Sequence, residues 1–270
     1  MTATDKLFAG SIPEIYDTYM VPLIFEGYAR DLARRAASAK PAQILETAAG
    51  TGVVTRALAP LLDAQARYVA SDLNQAMLDR AAARQGTDAR IQWQQADALS
   101  LPFADAGFDA VICQFGAMFF PDRVAGYREA LRVLKPGGRF LFSVWDRIEE
   151  NDFARIVTEV AAIAFPNDPP RFLARTPHGY HDTARIEADV RQAGFKSVEL
   201  TTLALRSEAP DARTAAIAYC QGTPLRSEIE ARDSTALPTL TDRAAEAIAK
   251  QHGHGPVSGK IQAHIIVAQA

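Results

Sequence analysis

A chain of 270 residues with 48% hydrophobic and 23% charged residues has the composition of a folded globular protein, which excludes long disordered tracts. Its net charge of -3 is too small to mark a nucleic-acid or anionic-membrane binder. The two cysteines, Cys113 and Cys220, form no CxxC or Cys/His zinc pattern, and a core of this size needs no disulfides. Met1–Lys6 is polar, and the longest apolar runs, such as Met20–Phe25, are far shorter than a membrane span. The expectation is a cytoplasmic protein with no metal, no nucleic-acid partner and no membrane partner.

Ser11 and Pro13 open a helical stretch through Tyr28 to Ala37, with apolar residues at three- and four-residue steps (Ile15, Tyr19, Leu23, then Tyr28, Leu32). Pro22 interrupts it, so a kink or two helices are expected. Strand and helix then alternate. Strands are read at Gln43–Thr47, Arg67–Asp72, Ile91–Gln95, Phe108–Gln114 and Arg139–Trp145. Helices are read at Val53–Leu62, Gln75–Arg84 and Ala125–Leu134, the last closed by a Lys135-Pro136-Gly137-Gly138 turn. This alternation implies parallel strands joined by right-handed crossovers, hence a doubly wound α/β fold. Further on, Asp152–Ala164 and Thr183–Ala193 read as helices, with a Pro-rich loop over 166–177. Ser197–Leu205 and Lys260–Ala268 read as strands. The intervening 207–259 is helical with loops, as in a hairpin whose connection has grown into a lid.

The strongest local signal is Ile44-Leu45-Glu46-Thr47-Ala48-Ala49-Gly50-Thr51-Gly52, a glycine-rich turn between a strand and a helix. In such sheets ligands sit outside the carboxyl ends of the strands. Glycines there let backbone approach the ligand, and the helix N-terminus presents free N–H groups. Thr55 stands where a dinucleotide fingerprint has its third glycine, and no Lys-Ser/Thr follows, which argues against pyrophosphate or triphosphate. Asp72 closes the second strand at the spacing where an acid meets a ribose. Asp97, after the third strand, is placed to accept from an adenine amino group. Together these outline a nucleoside site.

These residues resemble the class I S-adenosylmethionine-dependent methyltransferases, in the branch of ubiquinone/menaquinone-biosynthesis-like small-molecule enzymes. Leu45–Gly52, Ala70–Leu78, Gln95–Phe103 and Phe108–Trp145 carry the likeness, which spans roughly residues 40 to 205. It implies a Rossmann-like, mainly parallel seven-stranded sheet with its last strand antiparallel, plus helical lid elements. As a single domain over 1–270, this would divide into an N-terminal helical cap (1–40), a core (41–206 and 260–270) and a helical insertion (207–259). The cofactor implied is S-adenosyl-L-methionine. Gly50, Thr51 and Gly52 would line its methionine and ribose portion, with Glu46 anchoring the loop. Asp72 would hold the ribose hydroxyls, Leu73 and Met77 would pack beside the adenine, and Asp97 and Ala98 would meet its amino edge. Gln114 would face the methionyl side, with Tyr16 and Tyr19 as candidate closing aromatics or core residues. Ala48 departs from the glycine common at its position, so its methyl requires either negative φ or strain.

The implied reaction is direct displacement of a methyl group onto a small-molecule O, N or C nucleophile, catalysed mainly by alignment. A base is needed only if the acceptor must lose a proton. The loop Thr176-Pro177-His178-Gly179-Tyr180-His181-Asp182 offers His178, His181 and Tyr180 for that role, or else merely leads into a helix capped by Asp182 or Thr183. Tyr219–Pro224 and the phenylalanines Phe115, Phe119 and Phe120 could line the acceptor pocket or belong to the core. His252–Gly255 reads as an exposed turn. The alternatives are a non-catalytic S-adenosylmethionine-binding protein and a nicotinamide-dependent oxidoreductase, the latter disfavoured by Thr55. A monomer and a homodimer are both compatible with the sequence.

Overall fold

The computed structural model describes residues 12–270, so Met1–Lys6 and Ser11 lie outside the described residues. The chain divides into two compact units. One, the sheet unit, comprises Glu26–Val144, His181–Leu203 and Ala263–Ala270. The other, the helical unit, comprises residues up to Phe25, Trp145–Tyr180 and Ala204–Gln262.

Seven strands form one sheet: β1 (Gln43–Glu46), β2 (Arg67–Asp72), β3 (Ile91–Gln95), β4 (Phe108–Gln114), β5 (Leu134–Trp145), β6 (Ser197–Ala209) and β7 (Val257–Gln269). Their order is β3-β2-β1-β4-β5-β7-β6. Pairs β1–β2, β2–β3, β1–β4 and β4–β5 are parallel. The antiparallel sense of β7 follows from its hydrogen bonds. Asp146 N donates to Gln262 O and Ala270 N to Gly138 O, so β7 numbering falls as β5 numbering rises. Lys196 N to Gln269 O at one end, with Arg206 Nη2 to Ser258 O at the other, gives the same sense against β6. The order reverses between β1 and β4, the switch point where doubly wound sheets bind ligands.

Burial follows strand position. The central β1 and β4 are covered on both faces, which explains their unbroken apolar runs. The edge strands β3 and β6 are only partly covered, and β6 alternates along most of its length. In the sheet unit, helix α2 (Glu26–Ala37) packs on α3 (Val53–Leu58), and α5 (Arg123–Val133) packs on α8 (Thr183–Ala193). The helix following β2 is α4 (Gln75–Gln85). Beside α5 the core is aromatic: Tyr127, Phe140 and Phe142 are fully buried, with ring centroids 4.8–5.6 Å apart.

In the helical unit the first turn, α1 (Ile12–Ile15), runs into a π-helical stretch, Tyr16–Phe25, that contains Pro22. The sequence predicts a kink or two helices there. A π stretch instead absorbs the proline, whose missing N–H and ring cannot be accommodated in α-helical pairing. The other helices of this unit are α6 (Asp152–Ala164), α7 (Phe172–Arg175), α9 (Ala212–Gln221), α10 (Leu225–Arg232) and α11 (Ala236–His252), with α11 packing on α9 and α6. Helices α9–α11 connect β6 to β7, so the expected hairpin with a helical connection is present. No helix among the described residues is long and apolar enough to cross a membrane.

Two local expectations are corrected. The helix after β1 ends at Leu58 and tightens to a 3-10 turn over Ala59–Leu61, because Pro60 has no N–H for the α ladder. Lys135–Gly138 is not a free turn but lies within β5. Phe108 pairs with Leu134 and Ala110 with Arg139, so the intervening residues bulge from the ladder, with Gly137 at φ +79°. Asp109 fastens the bulge by accepting from Lys135 Nζ at 2.7 Å and from the Ala42 and Gln43 amides.

The aromatic core yields a direct test. Phe142→Ala should destabilise the protein by about 3–5 kcal/mol, read as a lowered urea midpoint, because neighbouring rings cannot collapse into the vacated volume.

Candidate functional site

The carboxyl ends of β1, β2 and β4 bring most of the sequence-identified residues into the sheet unit. The turn after β1 is held from two sides. Thr47 N donates to Ile112 O on β4 at 2.8 Å, and Ala49 N donates to Ser71 O on β2 at 2.9 Å. Gly50 N donates to Asp72 Oδ2 at 2.8 Å, while Asn74 N donates to Asp72 Oδ1 at 2.8 Å. One carboxylate therefore fixes both the glycine-rich turn and the start of the segment leading to α4. Each of its oxygens keeps further acceptor capacity. Burial pushes the Asp72 carboxyl up from its ordinary range, against the amides of Asn74 and Gly50, which pull it down.

Glycine is required at Gly52 on two grounds. Its φ is +78°, and a Cβ there would sit 3.0 Å from Ala81 Cβ and 3.2 Å from the Trp93 ring. Gly50, at φ +56°, lies beside Met77, whose Cε would be 3.8 Å from a Cβ on Gly50. Met77 is buried, while Leu73 is 43% exposed.

Beneath the turn, Glu46 is buried. Its Oε2 accepts from Thr55 Oγ1 at 2.5 Å and from Tyr68 Oη at 2.6 Å, and its carbonyl accepts from Ser71 Oγ at 2.9 Å. Burial pushes its carboxyl up to about 7, although both hydroxyl donors and the Arg56 guanidinium act in the opposite sense. Thr55, where a dinucleotide site has glycine, thus has a positive role as a donor to Glu46.

At the end of β4, Gln114 is buried, and its Oε1 has no hydrogen-bond partner among the described residues. Thr51 Oγ1, in the turn, is in the same condition. Leaving a buried polar atom unsatisfied costs about 1–3 kcal/mol, so each of these atoms calls for an explanation. Asp97 is exposed, with Oδ1 turned to the Leu99 amide at 2.9 Å, and Ala98 follows it half-buried. Ala96 N donates to Asp72 O, which ties this segment to β2.

Two residues near the strand ends are strained: Ala48, for which the sequence poses either strain or negative φ, and Phe115, for which it does not. Ala48 has φ +53° and Phe115 φ +52°, both in the left-handed region. Of the two routes open to Ala48, the structure takes strain. Its methyl has room because residue 116 is glycine: a Cβ on Gly116 would fall 2.4 Å from Ala48 Cβ and 2.8 Å from Cys113 Sγ. Phe115 is buried edge-on against Tyr28 at 5.4 Å, which makes it a core residue. Phe119 and Phe120 are half-buried, and the Phe120 ring lies over Gly126 of α5.

The remaining candidates are distributed as follows. Tyr16 and Tyr19 are half-buried on the π stretch of the helical unit, with Tyr16 5.2 Å from Phe25. The His178 loop crosses the boundary between units: His178 and Tyr180 are buried members of the helical unit, and His181 is an exposed member of the sheet unit. Asp182 caps α8 by accepting from the Ala184 and Arg185 amides. Tyr219 and Cys220 are buried at the end of α9, where Thr223 Oγ1 donates to Tyr219 O. The Cys113 and Cys220 thiols are pushed up by burial to about 11 and about 12, so both are inert near neutrality. No cluster of three or more His, Cys, Asp or Glu suited to a metal is present among the described residues.

The contact between residues 48 and 116 predicts a coupled pair. Ala48→Gly should stabilise the fold by about 1 kcal/mol through relief of positive φ. Gly116→Ala should destabilise it by about 1–3 kcal/mol, and adding Ala48→Gly should recover part of that loss. A double-mutant cycle of denaturation midpoints measures the coupling, and strict additivity would contradict the contact.

The methyltransferase-domain family matches this chain over residues 45–142, from β1 into β5. Demethylmenaquinone methyltransferase of Corynebacterium kroppenstedtii is 33% identical over 179 residues, 63% of this chain and 75% of that protein. The enzyme of the same name from Deinococcus radiodurans is 29% identical over 211 residues, 72% of this chain and 86% of that protein. Among solved structures, phosphoethanolamine N-methyltransferase 2 of Haemonchus contortus in complex with S-adenosyl-L-methionine superimposes with a TM-score of 0.61 at 15% identity. That match covers 100% of this chain and 60% of that one, and at this identity it speaks for the fold alone. With the sheet order, the glycine-rich turn and its carboxylates, these likenesses agree: the chain belongs to the class I S-adenosylmethionine-dependent methyltransferases.

Proposed function

We propose that Glu46, Ala48, Gly50, Thr51, Gly52, Asp72, Leu73, Met77, Asp97, Ala98 and Gln114 make up the cofactor site of this small-molecule methyltransferase. The observation that carries the assignment is the pair of buried, unpartnered atoms, Gln114 Oε1 and Thr51 Oγ1, beside a turn already held by Asp72. Bound S-adenosylmethionine supplies an electrophilic methyl group on a sulfonium. The residues of the chain bind and orient. Asp72 has acceptor capacity left for ribose hydroxyls after serving the Gly50 and Asn74 amides. Gln114 Oε1 suits an ammonium or other donor of the methionyl portion. Exposed Leu73 and buried Met77 offer apolar surface to a base. Asp97 retains Oδ2 for an exocyclic amine. Tyr16 and Tyr19 stay candidates for closing aromatics.

The acceptor is a small molecule with an O, N or C nucleophile, a reading supported by relatives that carry the name demethylmenaquinone methyltransferase. Where that nucleophile must shed a proton, His178, His181 and Tyr180 are the candidate bases. The His178 ring is held in place, with Nδ1 2.7 Å from Asp146 O. Asp146 is itself held, by Gln262 Nε2 on Oδ2 and the Arg147 amide on Oδ1. A cytoplasmic monomer or homodimer completes the reading.

Calorimetric titration of S-adenosylmethionine tests the site. Asp72→Ala should weaken binding by about 2–4 kcal/mol, roughly 30- to 1000-fold. Gln114→Leu should weaken it while raising thermal stability by about 1 kcal/mol, because it removes an unsatisfied buried acceptor. A folded Gln114→Leu variant with unchanged affinity would remove Gln114 from the site. For the base, His178→Gln should lower kcat by roughly 10²–10⁴-fold with cofactor affinity unchanged. A kcat that does not move would dismiss His178.

A further inference from the structure

The cluster under the glycine-rich turn holds more than an anchor. Both hydroxyl donors, Thr55 Oγ1 and Tyr68 Oη, converge on one oxygen of Glu46, Oε2, at 2.5 and 2.6 Å. Oε1 accepts from neither, so a proton on Glu46 can reside there without breaking either bond. The groups facing this carboxylate come from three elements. From α3 come Thr55 and the Arg56 guanidinium, whose Nη1 is bonded to Thr51 O at 2.5 Å. From β2 come Tyr68 and Asp72. From β4 comes Cys113, whose thiol is pushed up to about 11. Burial likewise drives the Tyr68 phenol well above its ordinary value, so Tyr68 stays a neutral donor. Glu46, brought up to about 7, is thus the member of this cluster poised to change charge at neutrality.

We propose that Glu46 is a specificity-determining residue that tells the sulfonium cofactor from its demethylated thioether product, by giving up a proton when the cationic cofactor binds and keeping it when the neutral-sulfur product binds. The inference rests on the assignment of the Gly50–Gly52 turn to the methionine portion of the cofactor. Its physics is simple. A fixed positive charge near a buried carboxyl favours the ionised form. By linkage, ionisation then favours the cation by the same factor. The product differs from the cofactor by one methyl group and one unit of charge, and the methyl alone offers little to grip. A buried group balanced between its two charge states converts that unit of charge into affinity. Below neutrality the free protein holds the proton and the cofactor must displace it. Above neutrality the carboxylate is already formed.

The sign gives the test. If binding the sulfonium lowers the Glu46 midpoint by about one unit, cofactor Kd tightens about fivefold from pH 6 to pH 8, and about half a proton is released at pH 6.5. The experiment is calorimetric titration of S-adenosylmethionine and S-adenosylhomocysteine into the full chain, at several pH values and in buffers of different ionisation enthalpy. Wild type is compared with Glu46→Gln, which keeps an acceptor for Thr55 and Tyr68 but cannot ionise. Titration of each ligand's own amino group is common to both proteins, so the difference between them reads Glu46. Proton release that is specific to the sulfonium and lost in Glu46→Gln supports the proposal. Equal release with both ligands, or release unchanged in Glu46→Gln, overturns it while leaving the cofactor site intact. Failure of folded wild type to bind either ligand overturns the site assignment itself. Should Glu46→Gln fail to fold, Tyr68→Phe serves. Loss of a donor to the carboxylate should move the pH transition in cofactor Kd upward, and an unmoved transition counts against the proposal.

Discussion

The buried carboxylate of Glu46 is the joint on which the sheet unit turns. It closes the central strand β1, receives a hydroxyl from the first helix after the turn and another from the neighbouring strand, and its own carbonyl takes a third from Ser71. Burying a carboxyl is unfavourable unless its hydrogen bonds are made, so Thr55 and Tyr68 are as necessary as Glu46. Together they set the distance between α3 and β2. That distance lets Ala49 and Gly50 reach back to Ser71 and Asp72 and gives the glycine-rich turn its shape. Asp72 is the second joint, and it depends on the first, since its partner Gly50 stands on the turn that Glu46 holds.

Strain is concentrated at the same strand ends. Ala48 and Phe115 adopt left-handed backbone immediately beyond β1 and β4, on the two sides of the switch point. Each is held by surroundings that leave no easier choice. Ala48 fits the space that Gly116 leaves open, and Phe115 is wedged against Tyr28, whose hydroxyl donates to Leu203 O at 3.0 Å. Such positions cost about 1–3 kcal/mol and persist where the surrounding fold over-determines them. Here they turn the chain sharply just past the last strand residue, leaving Gln114 buried with an acceptor unspent.

The sheet and its ligand-binding end were legible because each rests on local chemistry. Apolar runs mark β1 and β4, the acid at the end of β2 marks Asp72 as a partner of the glycine-rich turn, and Gly194 marks the end of α8. Other features depend on contacts that no local pattern carries. The left-handed Ala48 could be posed as strain or negative φ, but only Gly116, distant in sequence, shows how its methyl is housed. Lys135–Gly138 has the composition of a turn, yet the pairing of Leu134 and Arg139 with β4 on either side and the Asp109 carboxylate draw it into β5 as a bulge. The π stretch around Pro22 follows from a local rule whose outcome, kink, break or widened helix, is decided by packing. Thr55 was read for what it excluded, a third glycine. Its positive role became visible only with Glu46 and Tyr68 beside it.

A site built this way separates what the fold needs from what the ligand needs. Asp72 and Glu46 serve the fold: each bonds backbone or hydroxyl groups of the protein and keeps acceptor capacity to spare. Gln114 Oε1 and Thr51 Oγ1 make no hydrogen bond for the fold, each being a desolvated atom without a partner among the described residues. Selection for stability alone would replace them with apolar groups of similar shape, and the core around β4 would accept the change. The acceptor lies under a different constraint. The described loops and helices that could shape its pocket carry side chains already used in packing, such as Tyr219 and Phe120. Cofactor identity can thus be read from a handful of backbone-anchored groups, whereas acceptor identity is distributed over packing contacts and has no short signature in the chain.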